Sequence, residues 1–221
     1  MDDAQTLSRL NRMLPLASRQ GALTPAIHEF HRVILQTLAE LGRPPTRGEL
    51  AVVPTIADVD GALATLRDND LVILGAKGEV VGAYPLTLEE TPHRVILHGH
   101  EICATCALDA LAVSPMFRTP VTIYSRCQHT RRPINLHQDG ESLQAHAPCP
   151  NVQVGIQWEE PHSCAAHTLC PNIVFFCSRE DALEWQHADH AGKTVLALNP
   201  AASIARRYFL PLMAVVHGEH T

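Results

Sequence analysis

Apolar positions along this chain recur first at helical and later at strand spacing. Leu7, Leu10, Leu14 and Leu16 make a short amphipathic pattern within residues 1–25, which predicts an N-terminal helix or arm. Ile27, Phe30, Ile34, Leu35, Leu38 and Leu41 return at the helical period, and Gly42-Arg43-Pro44-Pro45 stops that helix. Thr46, with Glu49 three residues on, has the form of a capping box for a short second helix ending near Val53. A third helix is expected over residues 56–68, with Val59, Leu63 and Leu66 on one face. Leu71-Val72-Ile73-Leu74, a turn at Gly75-Ala76-Lys77-Gly78, and Glu79-Val80-Val81-Gly82-Ala83-Tyr84 then read as a hairpin. Three helices followed by a hairpin is the order of a winged helix, so residues 26–85 are expected to form a winged-helix-like module.

From residue 86 the texture changes. Arg94-Val95-Ile96-Leu97 and the apolar runs at 121–124, 152–156, 173–176 and 194–198 predict strands. Helices are expected over 102–113, over 180–187 and within 200–217, and the Pro-, Gly- and His-rich stretch 137–151 reads as a loop. The fold class expected is therefore α+β: the arm (1–25), the winged-helix-like helical module (26–85), then a mixed-sheet domain (86–221).

Composition narrows the function. With 221 residues, 46% hydrophobic and 18% charged, the chain can bury a substantial core. A net charge of −6 argues against coating nucleic acid or an anionic membrane. The third helix, where a winged helix would read DNA, carries Asp58, Asp60 and Asp68 against Arg67, a poor set for phosphate contact. No apolar run approaches the roughly 18–20 residues of a membrane span. Met1-Asp2-Asp3-Ala4-Gln5 lacks the basic and apolar stretches of a secretory signal. A cytoplasmic protein with neither nucleic-acid nor membrane partners is expected.

Seven cysteines, an odd number, do not suggest a secreted disulfide scaffold. In a reducing cytosol thiols stay free, and clustered ones lean towards metal binding or catalysis. In Cys103-Ala104-Thr105-Cys106-Ala107-Leu108-Asp109, helical spacing would put Cys106 and Asp109 on one face, where the carboxylate can take the thiol proton. A second cluster is Cys164-Ala165-Ala166-His167-Thr168-Leu169-Cys170-Pro171, with Cys170 at the mouth of a strand. Cys103, Cys106, Cys164 and His167 have the spacing of a Cys3His zinc site, and Cys103-x-x-Cys106 that of a redox pair, although no βαβ pattern precedes it. Zinc would explain neither Asp109 nor Cys170. From spacing alone, a zinc domain, a non-catalytic winged-helix metal sensor and a thiol enzyme all remain open.

Beyond spacing, the chain resembles the organomercurial (alkylmercury) lyase family over roughly residues 26–190. The resemblance runs from Leu86-Thr87-Leu88-Glu89-Glu90-Thr91 to the tetrad Cys106-Ala107-Leu108-Asp109 followed by Ala110-Leu111. It continues at Cys127, where the family has a structural cysteine, and at Cys170 with Phe175-Phe176 and Ser178. It implies a carbon–mercury lyase with no cofactor. Cys106 and Cys170 would be the thiolates that take mercury and Asp109 the proton relay. Soluble thiols or a mercuric reductase would accept the Hg(II) product. Two departures bear on substrate preference: Cys103 and Thr105 stand where the family has aromatic residues, and Pro171 where some members have a further cysteine. Cys149 and Cys177 fall on no family motif and are assigned to packing or surface. Cys164 and His167 are read as a loop before Cys170.

Overall fold

The computed structural model describes residues 2–188 and 192–214. Its N-terminal third is helical, and every helix start there except that of α2 carries a side-chain cap. Helix α1 (Asp3–Met13) opens on a capping box between Asp2 and Gln5, and α2 is Leu16–Gly21. Helix α3 (Pro25–Leu41) has Thr24 as N-cap and proline in its first turn, and it ends at Gly42, whose φ of 63° suits a residue without Cβ. The box read at Thr46 and Glu49 opens α4 (Arg47–Ala51). Helix α5 (Val59–Asp68) starts later than expected, because the Asp58 side chain accepts the Gly61 N–H and so fixes the cap. Phe30, Ile34, Leu35 and Leu38 of α3 are buried, as are Leu63 and Leu66 of α5. One buried polar link ties the layers. Gln20 Nε2 donates to His31 Nδ1 (2.8 Å) and to the Leu212 carbonyl (3.0 Å), while His31 Nε2 faces the Leu71 carbonyl (3.1 Å).

The expected hairpin is β1 (Ile73–Leu74) with β2 (Val80–Ala83). It is the edge of an eight-stranded sheet that includes β3 (Leu86–Thr87), β4 (Arg94–Leu97), β5 (His100–Ala104), β6 (Val121–Arg126), β7 (Pro133–Asp139) and β8 (Ser142–Ala145). The order is β1-β2-β3-β5-β4-β6-β7-β8. A second sheet has β9 (Gln153–Gln157) between β10 (Ile173–Phe176) and β11 (Lys193–Ala197). All described pairings are antiparallel, where a mixed sheet was expected; most neighbouring strands are joined by short connections, which favour antiparallel pairing.

Helix α6 (Ala107–Phe117) is the hub. Every residue from Ala107 to Met116 is buried, and the helix packs on α9 (Leu198–Phe209), on β10 and on strands of the large sheet. Helix α1 lies on α9. Helix α8 (Arg179–His187) packs on the small sheet, and α7 (Ala165–Thr168) packs on the 3-10 turn Cys170–Asn172.

Three expectations are corrected. Residues 102–104 are strand β5, not helix, because Ile102 and Cys103 pair with Val95 and Arg94 of β4. The stretch 137–151 contains the end of β7 and all of β8; Ile134, Leu136 and Gln138 alternate as buried positions, a pattern hidden by the polar neighbours and the polar Gln138 itself. Cys149 and Cys177 are neither surface nor simple packing residues: they form a disulfide whose Cα atoms lie 4.7 Å apart, so not every thiol is free. The helix expected within 200–217 is α9, and its expected reach past residue 214 falls outside the described residues.

Candidate active site

Strand β5 delivers the chain to the core, and Thr105 and Cys106 turn it into α6. Cys106 is the N-cap: its backbone is extended (φ −151°, ψ −178°), and its Sγ accepts the Asp109 N–H at 3.4 Å. A thiol occupies the position where serine or aspartate usually caps a helix. Asp109 sits in the first turn, so the carboxyl and Cys106 meet as the spacing required, although Cys106 precedes the helix instead of lying within it.

Cys170 arrives from the far side. It lies in the 3-10 turn Cys170–Asn172 that leads into β10, and its Sγ donates to Asp109 Oδ2 at 3.8 Å. The ligand atoms of Cys106, Asp109 and Cys170 all lie within 4.8 Å of one another, and all three residues are buried. Asp109 Oδ1 and Thr105 Oγ1 are buried with no hydrogen-bond partner. Two orphan oxygens beside two sulfurs are what a site awaiting a ligand or a moving proton would present.

Burial dominates the electrostatics. It raises the Asp109 carboxyl to about 7, an effect partly offset by Cys106, Thr105 and Cys170 nearby. Burial also holds the Cys106 thiol well above its ordinary value. At Cys170 the Cys106 hydrogen bond favours the thiolate, but burial and the Asp109 charge outweigh it, and the thiol is raised. The resting site therefore keeps protons on both sulfurs, with a carboxyl balanced near neutrality to exchange one.

A small cavity of about 20 Å³ adjoins the three residues; its other walls are Leu10, Leu14, Leu108, Leu169, Ile173, Tyr84, Tyr208 and Phe209. The polar triad thus faces a mostly apolar lining. Tyr84 separates it from a surface cavity of about 480 Å³ that includes Asp70, Cys164 and His167; Tyr84 Oη lies 3.9 Å from Cys164 Sγ and donates to Asp70 Oδ1 at 3.3 Å. The larger 860 Å³ cavity beside Arg32 and Arg207 touches none of the triad.

The zinc set does not assemble. His167 pairs with Glu89 at 2.8 Å, Cys103 projects from β5, and among the described residues no group of three or more ligand atoms within 4.8 Å includes Cys103, Cys164 or His167. Sequence reasoning missed the cavity walls supplied by Leu10, Leu14 and Tyr208. Nothing in a helical leucine pattern distinguishes core from chamber wall.

A family model described as alkylmercury lyase matches residues 86–210. The alkylmercury lyase of Staphylococcus epidermidis is 31% identical over 175 residues, 79% of this chain and 79% of that protein. That of Bacillus cereus is 31% identical over 189 residues, 86% of this chain and 84% of that one. In fold, the chain is similar to the crystal structure of the mercury-bound form of MerB2, with a TM-score of 0.76 at 21% identity, covering 94% of this chain and 100% of that one.

Proposed function

This chain belongs to the alkylmercury lyase family, and we propose that it cleaves organomercurials by protonating the carbon bound to mercury. The observation that carries the reading is the buried Cys106–Asp109–Cys170 cluster, two soft sulfurs around one carboxyl. Soft thiolates select mercury over harder cations. Asp109 takes the proton of one thiol as that sulfur attacks mercury. Asp109 passes that proton to the ligand leaving mercury, then takes the proton of the second thiol as it too binds, and the electron density of two thiolates makes the attached carbon basic. Asp109 returns a proton to that carbon; the carbon–mercury bond breaks, and its electron pair goes to the new carbon–hydrogen bond. A carboxyl raised to about 7 suits both halves of this relay, since it accepts and donates near neutral pH. The apolar lining and the burial of all three residues strengthen these charge interactions.

Hg(II) remains on Cys106 and Cys170 until soluble thiols or a mercuric reductase take it, which is detoxification chemistry. No cofactor takes part. The reading places the protein in the cytoplasm, where clustered thiols stay reduced; among the described residues no helix is long and apolar enough to cross a membrane. Helices α3–α5 with the β1–β2 hairpin support a winged-helix-like module over residues 26–85 that serves structure and not nucleic-acid binding, between an N-terminal arm (1–25) and the catalytic domain (86–221). Incubation with phenylmercury and excess thiol, assayed for benzene and Hg(II), tests the reading. Benzene no faster than with thiol alone would refute it.

A further inference from the structure

A second sulfur cluster lies at the other end of strand β10. Cys170 precedes this strand and Cys177 follows it, so its four residues, roughly 13 Å of extended chain, separate the cluster from the active site. Cys127, just past the end of β6, is a free buried thiol. Its ligand atom and those of Cys177 and Asp181 lie within 4.8 Å of one another, and Cys177 carries Cys149 through the disulfide. Three sulfurs and one carboxylate therefore converge, all three cysteines at most 3% exposed.

The surroundings of Cys127 are those of a ligand and not of a packing residue. Its Sγ accepts N–H groups from Thr130 and Cys177, both at 3.4 Å, and donates to Asp181 Oδ2 at 3.7 Å. Backbone amides aimed at sulfur offset the charge it carries when it binds a metal. Asp181 sits in the first turn of α8, whose positive end favours its carboxylate. The pairing repeats that of the active site, where Cys170 likewise donates to a carboxylate in a helix's first turn.

We infer that, once the Cys149–Cys177 disulfide is reduced, Cys127, Cys149, Cys177 and Asp181 form a second site for a thiophilic divalent cation, with Hg(II) its preferred occupant. Two small thiols open the disulfide, becoming a disulfide themselves and leaving protons on Cys149 and Cys177. Hg(II) carried by two small thiols then exchanges onto the three cysteines, releasing two small thiols and one proton. Cys149 lies in a surface segment whose neighbours Ala147, Pro148 and Pro150 are exposed, so opening the bond frees the wall through which the ion enters. Three sulfurs select a soft ion. The site thus holds Hg(II) apart from the catalytic thiols and is available where reducing thiols are plentiful.

The test uses HgCl2 alone, so it does not depend on carbon–mercury cleavage, and a failed lyase assay leaves it intact. A full-length Cys106→Ala/Cys170→Ala variant removes the first site. It is titrated as isolated and after phosphine reduction and desalting, then challenged with excess monothiol, and retained mercury is counted by native mass spectrometry. Reduction should raise the retained mercury from none to about one ion per chain, with sulfur-to-mercury charge-transfer absorption. If that variant does not fold, the native chain should show the same gain of about one ion on reduction. Added to the Cys106→Ala/Cys170→Ala background, Cys149→Ser, which cannot form the disulfide, should retain the ion without reductant, and Cys127→Ser/Cys177→Ser should retain none. An equal count before and after reduction, or retention in the last variant, overturns the site. Displacement of the Hg(II) by excess Zn(II) overturns the mercury assignment.

Discussion

Cys170 and Asp109 are 61 positions apart in sequence, yet the Cys170 thiol donates directly to the Asp109 carboxylate at 3.8 Å. One arrives on the turn before β10 and the other in the first turn of α6, and the packing of these two elements closes the site. The carboxyl thereby reaches both sulfurs, so one group can collect a proton from a thiol and pass it on.

Asp109→Asn separates capture of mercury from cleavage of its bond to carbon. The amide keeps the shape but does not shuttle a proton at neutral pH. The variant should still bind phenylmercury through its thiols yet release benzene about 100- to 10,000-fold more slowly, the usual worth of a general acid–base group. Mass spectrometry should find phenylmercury still on the protein, and in heavy water the native enzyme should place deuterium in the benzene. Near-native turnover would assign the proton to another donor.

Cys106→Ser and Cys170→Ser should each abolish turnover with the fold retained. Oxygen is a hard, poorly ionised substitute for a soft thiolate. The loss should exceed the roughly 10- to 100-fold that even an outer partner of a metal ligand contributes. Circular dichroism checks the fold and benzene release the activity; a serine variant with near-native rate would remove that residue from the mercury site.

Asp109 also links stability to pH. Burial raises its carboxyl from 3.8 to about 7, so between these values the folded chain holds a proton that the unfolded chain has lost. Its cost is absent below about pH 4, grows as pH rises to 7 and is constant above, reaching on the order of 4 kcal/mol. Asp109→Asn should therefore gain stability over the native chain across that window in urea unfolding. A difference that stays constant from pH 4 to 8 would contradict a raised carboxyl.

The helical N-terminal region should not bind DNA in a shift assay at moderate salt. Its cations are already occupied: Arg47 pairs with Asp60, Arg67 with Asp68 and Arg43 with Glu49. Few are left to displace counterions from a phosphate backbone. Tight, salt-sensitive binding would overturn this.

Much of this molecule is local and so was legible in the chain itself. The capping box at Thr46 and Glu49, the stop at Gly42 and the β1–β2 hairpin are decided by neighbours three or four residues apart, and the structure reproduces them. Cys106 and Asp109 are likewise a local pair, and their motif carried the family resemblance. What the sequence could not decide depended on partners far along the chain. Residues 102–104 have no helix- or strand-specific signal strong enough to outweigh pairing with β4, so only the sheet made them a strand and moved Cys106 to the helix cap. Spacing left Cys103, Cys164 and His167 as equal rivals of Cys170 for Cys106. Packing of α6 against β10 chose Cys170, and packing of α9 on α6 and of α1 on α9 brought Leu10, Leu14 and Tyr208 from the two ends of the chain to the same site. Cys149 and Cys177 looked unremarkable one at a time, because a disulfide is a fact about two backbones brought within reach, which no single stretch of sequence contains.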